Sequence, residues 1–392
     1  MAPFEIDVVR LAQDLVRQPS EQTAAMEADP AVLGFVRDHV APRLEHYGLR
    51  PKLDGMGNLL VALGPEGPRP SLALVGYAMT HPGGSMTTPF SGETVDRVDG
   101  PVLRGRGIAE QKGALAAGIA ALVEARDWPL QGRLMFILLT AGETGRHDAI
   151  ISALAALGTK PELGVVLVGT GNAVALGNKG RIDVDVRVRG EVCHSSTPWA
   201  GVDAIAGARR LLDVLDGLAL GGEHAGLGRA SLVATHIRSF PEATHTLQDE
   251  VHLTLDRRLL PGDDPAAALA AITKSARLDG PWRIEVSQGP FMHPAELPLG
   301  SRLLAAIDRG CAAEGLASPR RFWSHGALDA GYLQALGGEA TMWGPGDQAG
   351  WHRPDEAVPL ADLIAAARAY RGLISAALIE DAVTPDSRRP RS

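Results

Sequence analysis

Residues 179–188 read Lys179-Gly180-Arg181-Ile182-Asp183-Val184-Asp185-Val186-Arg187-Val188. Successive side chains of a strand point to opposite faces, so apolar Ile182, Val184, Val186 and Val188 alternating with charged residues predict a strand with one dry and one wet face. The strands expected upstream have a different character. Residues 58–63, 71–75, 133–140 and 164–168 are short, nearly continuous apolar runs bounded by Gly, Pro or polar residues. That is the pattern of strands covered on both faces by helices. Amphipathic helices are expected where Val8, Leu11 and Leu15 recur, ending at Gln18-Pro19-Ser20, and over residues 31–47 and 113–126. The change of pattern at Lys179 therefore marks the passage from a layered α/β body to an α+β unit.

Downstream, the α+β unit should contain a helix over 202–218, strands at 231–237 and 251–256, a helix after Asp264 and a strand at 282–287. The chain then returns to helix and strand at 299–314 and 340–343 and ends in a helix over 360–378. The expected organisation is a first body segment, 1–179, an inserted lid, 180–289, a second body segment, 290–382, and a disordered tail, 383–392, that carries Pro385 and a closing Arg-Arg-Pro-Arg-Ser.

Composition narrows the function. At 392 residues the chain is long for one core, and its 45% hydrophobic and 21% charged residues are ordinary for globular domains. A net charge of -8 with no internal Lys/Arg run argues against a nucleic-acid partner and for a small-molecule substrate. Two cysteines, Cys193 and Cys311, are too few for a disulfide framework, and Cys193 reads as a buried packing residue. With neither a leader pattern nor an uninterrupted apolar span, the expected location is the cytoplasm, away from the membrane.

Several segments in fixed order then carry a specific resemblance. They are the strand at 72–75 with Gly76, Pro89-Phe90-Ser91-Gly92, Gly105-Arg106-Gly107, Lys112-Gly113, and Thr140-Ala141-Gly142-Glu143. After these come residues 190–195 with His194, Asp256-Arg257-Arg258 before Pro261-Gly262, and Gly344-Pro345-Gly346 before His352 and Glu356. Together they resemble the M20 metallopeptidase and amidohydrolase family, which includes acetylornithine deacetylase, succinyl-diaminopimelate desuccinylase, aminoacylase and glutamate carboxypeptidases.

The resemblance implies an α/β catalytic domain with an inserted α+β lid that dimerises, and a two-zinc centre held by carboxylates and imidazoles. Position by position, this chain departs from that ligand set. The strand-end His-x-Asp has become Tyr77-Ala78-Met79, the bridging Asp is Glu110, and two further acidic ligands are Thr144 and Thr170. His352 remains at its ligand position, and Glu143 stands where the family has its general base. His194 matches the imidazole that the lid sends to the oxyanion, often from a partner subunit, and Arg258 a residue that binds a substrate carboxylate. His81, His245 and His325, with Tyr77, are further candidates for lining a remodelled substrate pocket, and His147 lies near Glu143 in the sequence.

Because neutral Thr hydroxyls replace carboxylates poorly as ligands, the expectation is that no cofactor is required, with at most a single weakly held divalent metal. Chemistry would then run through Glu143, His194, His352 and Glu110 as acid–base groups, in acyl transfer or condensation on an amino-acid-derived substrate. The alternatives are a hydrolase whose metal site is rebuilt with His81 and with His325 or His147, and a binding protein that has kept only the fold.

Overall fold

A computed structural model describes residues 4, 6–67, 71–142 and 144–380. The expected tail, 383–392, falls outside these residues, as does Glu143. The chain divides into two compact units. One is formed by the segments up to Gly177, Ala295–Phe322 and from Leu328 onward; the other by Asn178–Pro294 and Trp323–Ala327.

The first unit is built on a six-stranded sheet in the order Lys52–Leu53, Leu59–Leu63, Arg133–Leu139, Ser71–Tyr77, Leu163–Val166, Glu339–Met342. The last four strands run parallel, while Leu59–Leu63 is antiparallel to Arg133–Leu139. All seven residues of Ser71–Tyr77 are buried, as a parallel strand between two helical layers must be. Leu72 and Leu74 join the core that contains helix Gly113–Ala125, whereas Ala73, Val75 and Tyr77 join the opposite core with helix Asp148–Leu157. Gly113–Ala125 is small and apolar on every side because it is covered twice, by the sheet and by helix Leu360–Ser375. The helix expected over 31–47 forms as Pro30–Gly34 and Ala41–His46 around a wider turn, Phe35–Val40. Pro42, which has no N–H to give to the preceding turn, accounts for the break in regular α geometry.

In the second unit, four antiparallel strands lie in the order Ser231–Phe240, Glu250–Leu259, Gly180–Arg189, Arg283–Met292. Val184, Val186 and Val188 stand opposite Leu255, Leu253 and Val251, and these residues form one core with helices Ala204–Asp216 and Pro265–Ser275. Asp203 and Asp264 cap the two helices by accepting hydrogen bonds from first-turn N–H groups. A layered α/β body with an α+β unit inserted into it is the fold class that the strand patterns predicted. Among the described residues no helix is long and apolar enough to cross a membrane.

Candidate active site

The parallel strands of the first unit all end on one edge of the sheet, and the loops beyond them are stitched together through their backbones. Met79 N–H donates to Ala141 O at 3.2 Å, Gly169 N–H to Glu110 O at 2.7 Å and Thr170 N–H to Gly344 O at 3.0 Å. The approach is so close that a Cβ on Gly169 would lie 1.8 Å from Ala109 O. Ligands of open α/β sheets bind at this edge, where connections leave toward opposite faces.

Glu110 enters the site on the turn that begins at Gly105, and a buried carboxylate fixes that turn. Glu356 accepts from Arg106 Nη1 at 2.8 Å and from the N–H groups of Gly107, Ala109 and Glu110 at 3.1, 2.9 and 3.3 Å. Burial outweighs these donors and holds the Glu356 carboxyl above its ordinary pKa. Four residues before Glu356, His352 has a left-handed backbone, φ +61°, and presents Nε2 3.1 Å from Glu110 Oε1. His81 stacks on the His352 ring with centroids 4.2 Å apart and planes 16° from parallel. Its Nδ1 lies 3.1 Å from Pro82 O, a carbonyl that can only accept, so Nδ1 is the donor of that contact. Glu110, His352 and His81, distant in sequence, thus come together.

Tyr77 is engaged in a different way. Its hydroxyl donates to Asp329 Oδ2 at 2.7 Å, and Asp329 Oδ1 lies 2.6 Å from His147 Nδ1. Burial, and then the Asp329 charge, push the Tyr77 phenol well above its ordinary pKa. Met79 is fully buried, with its carbonyl accepting from Gln111. The Thr170 hydroxyl donates to Ala173 O at 2.5 Å and accepts from Gly344 N–H at 3.1 Å, which commits it to closing the loop. Asp329 is a functional candidate that the sequence does not single out. Its only signal there is an acid just before an apolar helix, which any helix start can show.

The remaining candidates belong to the second unit. His194 is exposed and its Nδ1 lies 2.7 Å from Ser196 Oγ. It neighbours His245, also exposed, across a two-stranded ladder in which Ser195 N–H donates to His245 O at 3.0 Å. Arg258 is forked onto Asp256 at 2.8 and 2.9 Å, and its Nη1 reaches the carbonyl of exposed His325 at 3.4 Å. Cys193 is half-buried rather than buried, because its Sγ lies 3.4 Å from Thr197 O on a short ladder with little covering it.

Residues 80–376 match the model of peptidase family M20/M25/M40. The chain belongs to this family. It is 28% identical to a succinyl-diaminopimelate desuccinylase of Novosphingobium aromaticivorans, over 95% of this chain and 99% of that protein. Its fold is similar to that of an M20 family metallo-carboxypeptidase from Sulfolobus solfataricus, with TM-score 0.75, 14% identity and coverage of 94% of this chain and 98% of the other. It is also similar to a dinuclear metal-binding M20 peptidase of Bacillus subtilis, with TM-score 0.62, 14% identity and coverage of 95% and 97%.

Membership of a metallopeptidase family overturns the expectation that no cofactor is required, at most one weakly held metal. That expectation counted losses at Tyr77, Thr144 and Thr170, whereas a ligand set is decided by every side chain the fold brings to the edge. Among the described residues, three side chains of metal-ligating type lie together at this edge. Glu110 and His352 are a carboxylate and an imidazole in contact, and His81 is a second imidazole whose ring lies parallel to the first. Among the described residues no group of three or more His, Cys, Asp or Glu is arranged to hold an ion, so these residues do not by themselves complete the dinuclear centre.

Proposed function

We propose that this M20 member is a metal-dependent hydrolase of an amide bond in an N-acylated amino acid or short peptide, with Glu110 and His352 as the anchor of its metal. The observation that carries this reading is the contact between those two side chains at the carboxyl edge of the sheet, 3.1 Å apart, although they are 242 residues apart in sequence. It is supported by a relative that is a desuccinylase and that matches this chain almost end to end. Hydrolysis by a rebuilt metal site thereby replaces metal-free acyl transfer or condensation as the preferred chemistry.

A divalent metal held there would supply Lewis acidity and a nucleophilic water near neutral pH. The chain's own residues do the rest. Arg106 and Glu356 hold Glu110 in place, and His81, stacked against His352, is a candidate further ligand. Glu143, at the family's general-base position, accepts the proton of the attacking water. In the second unit, Arg258 is the candidate for a substrate carboxylate, which would have to compete with Asp256 for its fork, while His194, His245 and His325 are candidates for substrate contact. A homodimer through the lid is part of the proposal. It is supported by the edge strand Ser231–Phe240, on which Val233 and Ile237 are 55% and 59% exposed.

The test is amine release by full-length protein from N-succinyl-L,L-diaminopimelate, N-acetyl-L-ornithine and L-dipeptides, with zinc added and after chelation. Hydrolysis of at least one probe that disappears on chelation is expected. No hydrolysis of any of them by zinc-loaded protein would contradict the proposal.

A further inference from the structure

The short loop that carries His81 follows strand Ser71–Tyr77 and is pinned on both sides of that residue. Before it, Thr80 N–H donates to Ser20 O at 2.9 Å and Thr80 O accepts from Gln22 N–H at 2.8 Å. After it, Gly83 N–H donates to Glu21 Oε1 at 2.5 Å and Gly83 O accepts from Arg106 Nη2 at 3.0 Å. The buried Ser20 hydroxyl adds a bond to Ala78 O at 2.6 Å. Residues 20–22 are thus a strap laid along residues 78–83. Arg106 joins the strap to the Glu110 turn, since the same guanidinium pairs with Glu356. The seat is tight: a Cβ on Gly83 would lie 3.0 Å from Pro89 Cγ and 3.3 Å from Glu21 Oε1.

The ring at the centre of this clamp lies face to face with that of His352, centroids 4.2 Å apart and planes 16° from parallel. His352 comes from a turn, on a backbone with φ +61°, and its side chain is partly exposed. Rotation of an imidazole about its Cβ–Cγ bond meets only broad minima, so the plane of the ring is set by what packs against it. A nitrogen lone pair lies in that plane, and fixing the plane aims the lone pair. Two imidazoles stacked face to face send their lone pairs along separate, nearly parallel planes. They do not converge on one ion at a bond length of about 2.0–2.1 Å.

We propose that His81 is a positioning residue whose ring sets the plane of the His352 imidazole toward a divalent metal, and that Glu21, through Gly83, holds His81 in register. The proposal rests on the reading of Glu110 and His352 as the metal anchor, and it decides the role that this reading leaves open for His81. The strap reaches the metal through two contacts, Glu21 on the Gly83 backbone and the His81 ring on the His352 ring, without supplying a ligand of its own.

The experiment measures the zinc affinity of full-length protein by competition with a chromophoric chelator. A phenyl ring keeps the stacking face and has no nitrogen, so His81→Phe should bind zinc within about threefold of wild type. His81→Ala should weaken binding about 10- to 100-fold, as loss of a group that orients a ligating imidazole does. Glu21→Ala should weaken it in the same direction, and Glu21→Gln, whose amide oxygen can still accept from Gly83 N–H, should recover most of that loss. In the His81→Ala background, Glu21→Ala should change zinc affinity by less than about twofold, because the ring through which Glu21 acts is already absent. Equal loss in His81→Phe and His81→Ala would overturn the proposal by making His81 a ligand. Wild-type affinity in His81→Ala, or an undiminished effect of Glu21→Ala in the His81→Ala background, would overturn it as well. Each of these results leaves the metal-dependent reading intact, whereas wild-type protein that binds no zinc would overturn the proposal together with that reading.

Discussion

Two polar clusters at the carboxyl edge of one sheet invite comparison. In one, Glu110, His352 and His81 keep the residue types of a metal site, and His352 is 38% exposed at its side chain. In the other, Tyr77, Asp329 and His147 are buried, and Tyr77 stands where the family resemblance would put an imidazole. Judged by residue type alone, the Glu110 cluster is retained and the Tyr77 cluster is lost. Their geometry tells otherwise: Tyr77 has not left a gap but has gained a carboxylate 252 positions away, which in turn holds an imidazole. Counting ligand types along the sequence therefore measures what one strand end has lost and misses what later elements bring back. The expectation of a cofactor-free enzyme fails on separate ground, the metallopeptidase family to which the chain belongs.

Substitutions can separate the two clusters. Glu356→Leu should have the largest effect, because it strands the Arg106 guanidinium in the interior without its counter-charge; the expected loss is about 3–5 kcal/mol in urea unfolding. It also releases the N–H groups that fix Glu110, so bound metal should fall with stability. Tyr77→Phe removes one hydroxyl and leaves an Asp329 oxygen without that donor, for an expected loss of about 1–3 kcal/mol and unchanged metal content. Equal loss of metal in both variants would show that the clusters are one site rather than two.

A smaller effect concerns Lys112, two residues beyond Glu110. Burial lowers its pKa to about 7, although Nζ donates to Gln18 O at 2.7 Å and lies 4.7 Å from the Phe35 ring centroid. Between about pH 7 and the unfolded value near 10.5 the unfolded chain binds more protons, so this residue makes stability rise with pH. The slope cannot exceed about 1.4 kcal/mol per pH unit. Below pH 7 the cost of the buried charge is fully present. Lys112→Met should therefore gain most over wild type in the acid range, and the difference should close toward pH 10 in a series of thermal melts.

Much of the fold is legible in the sequence because burial leaves periodic traces. Ile182, Val184, Val186 and Val188 mark a half-wet strand, and the unbroken apolar run at 71–75 marks one covered on both faces. Helix Asp148–Leu157 is not among the expected helices, since it follows directly on the loop after Thr140, whose residues read as a motif. The turn at Phe35–Val40 escapes because its apolar residues still fit a helix, and only hydrogen-bond geometry records the extra width. In the site, Glu110 and His352 are named only through the resemblance, by matching its motifs in order along the chain. The role of Asp329 cannot be named in that way, because a carboxylate that joins a strand end to a loop is a tertiary fact with no local pattern.

Metal content measured together with activity, on protein purified without chelator, tests most directly whether this chain is a metal-dependent amide hydrolase. The expected result is bound divalent metal, hydrolysis of an N-acyl amino acid or peptide probe that is lost on chelation and restored by zinc, and loss of both metal and hydrolysis in Glu110→Ala. Protein that carries no metal and hydrolyses the probe at the same rate before and after chelation would contradict it.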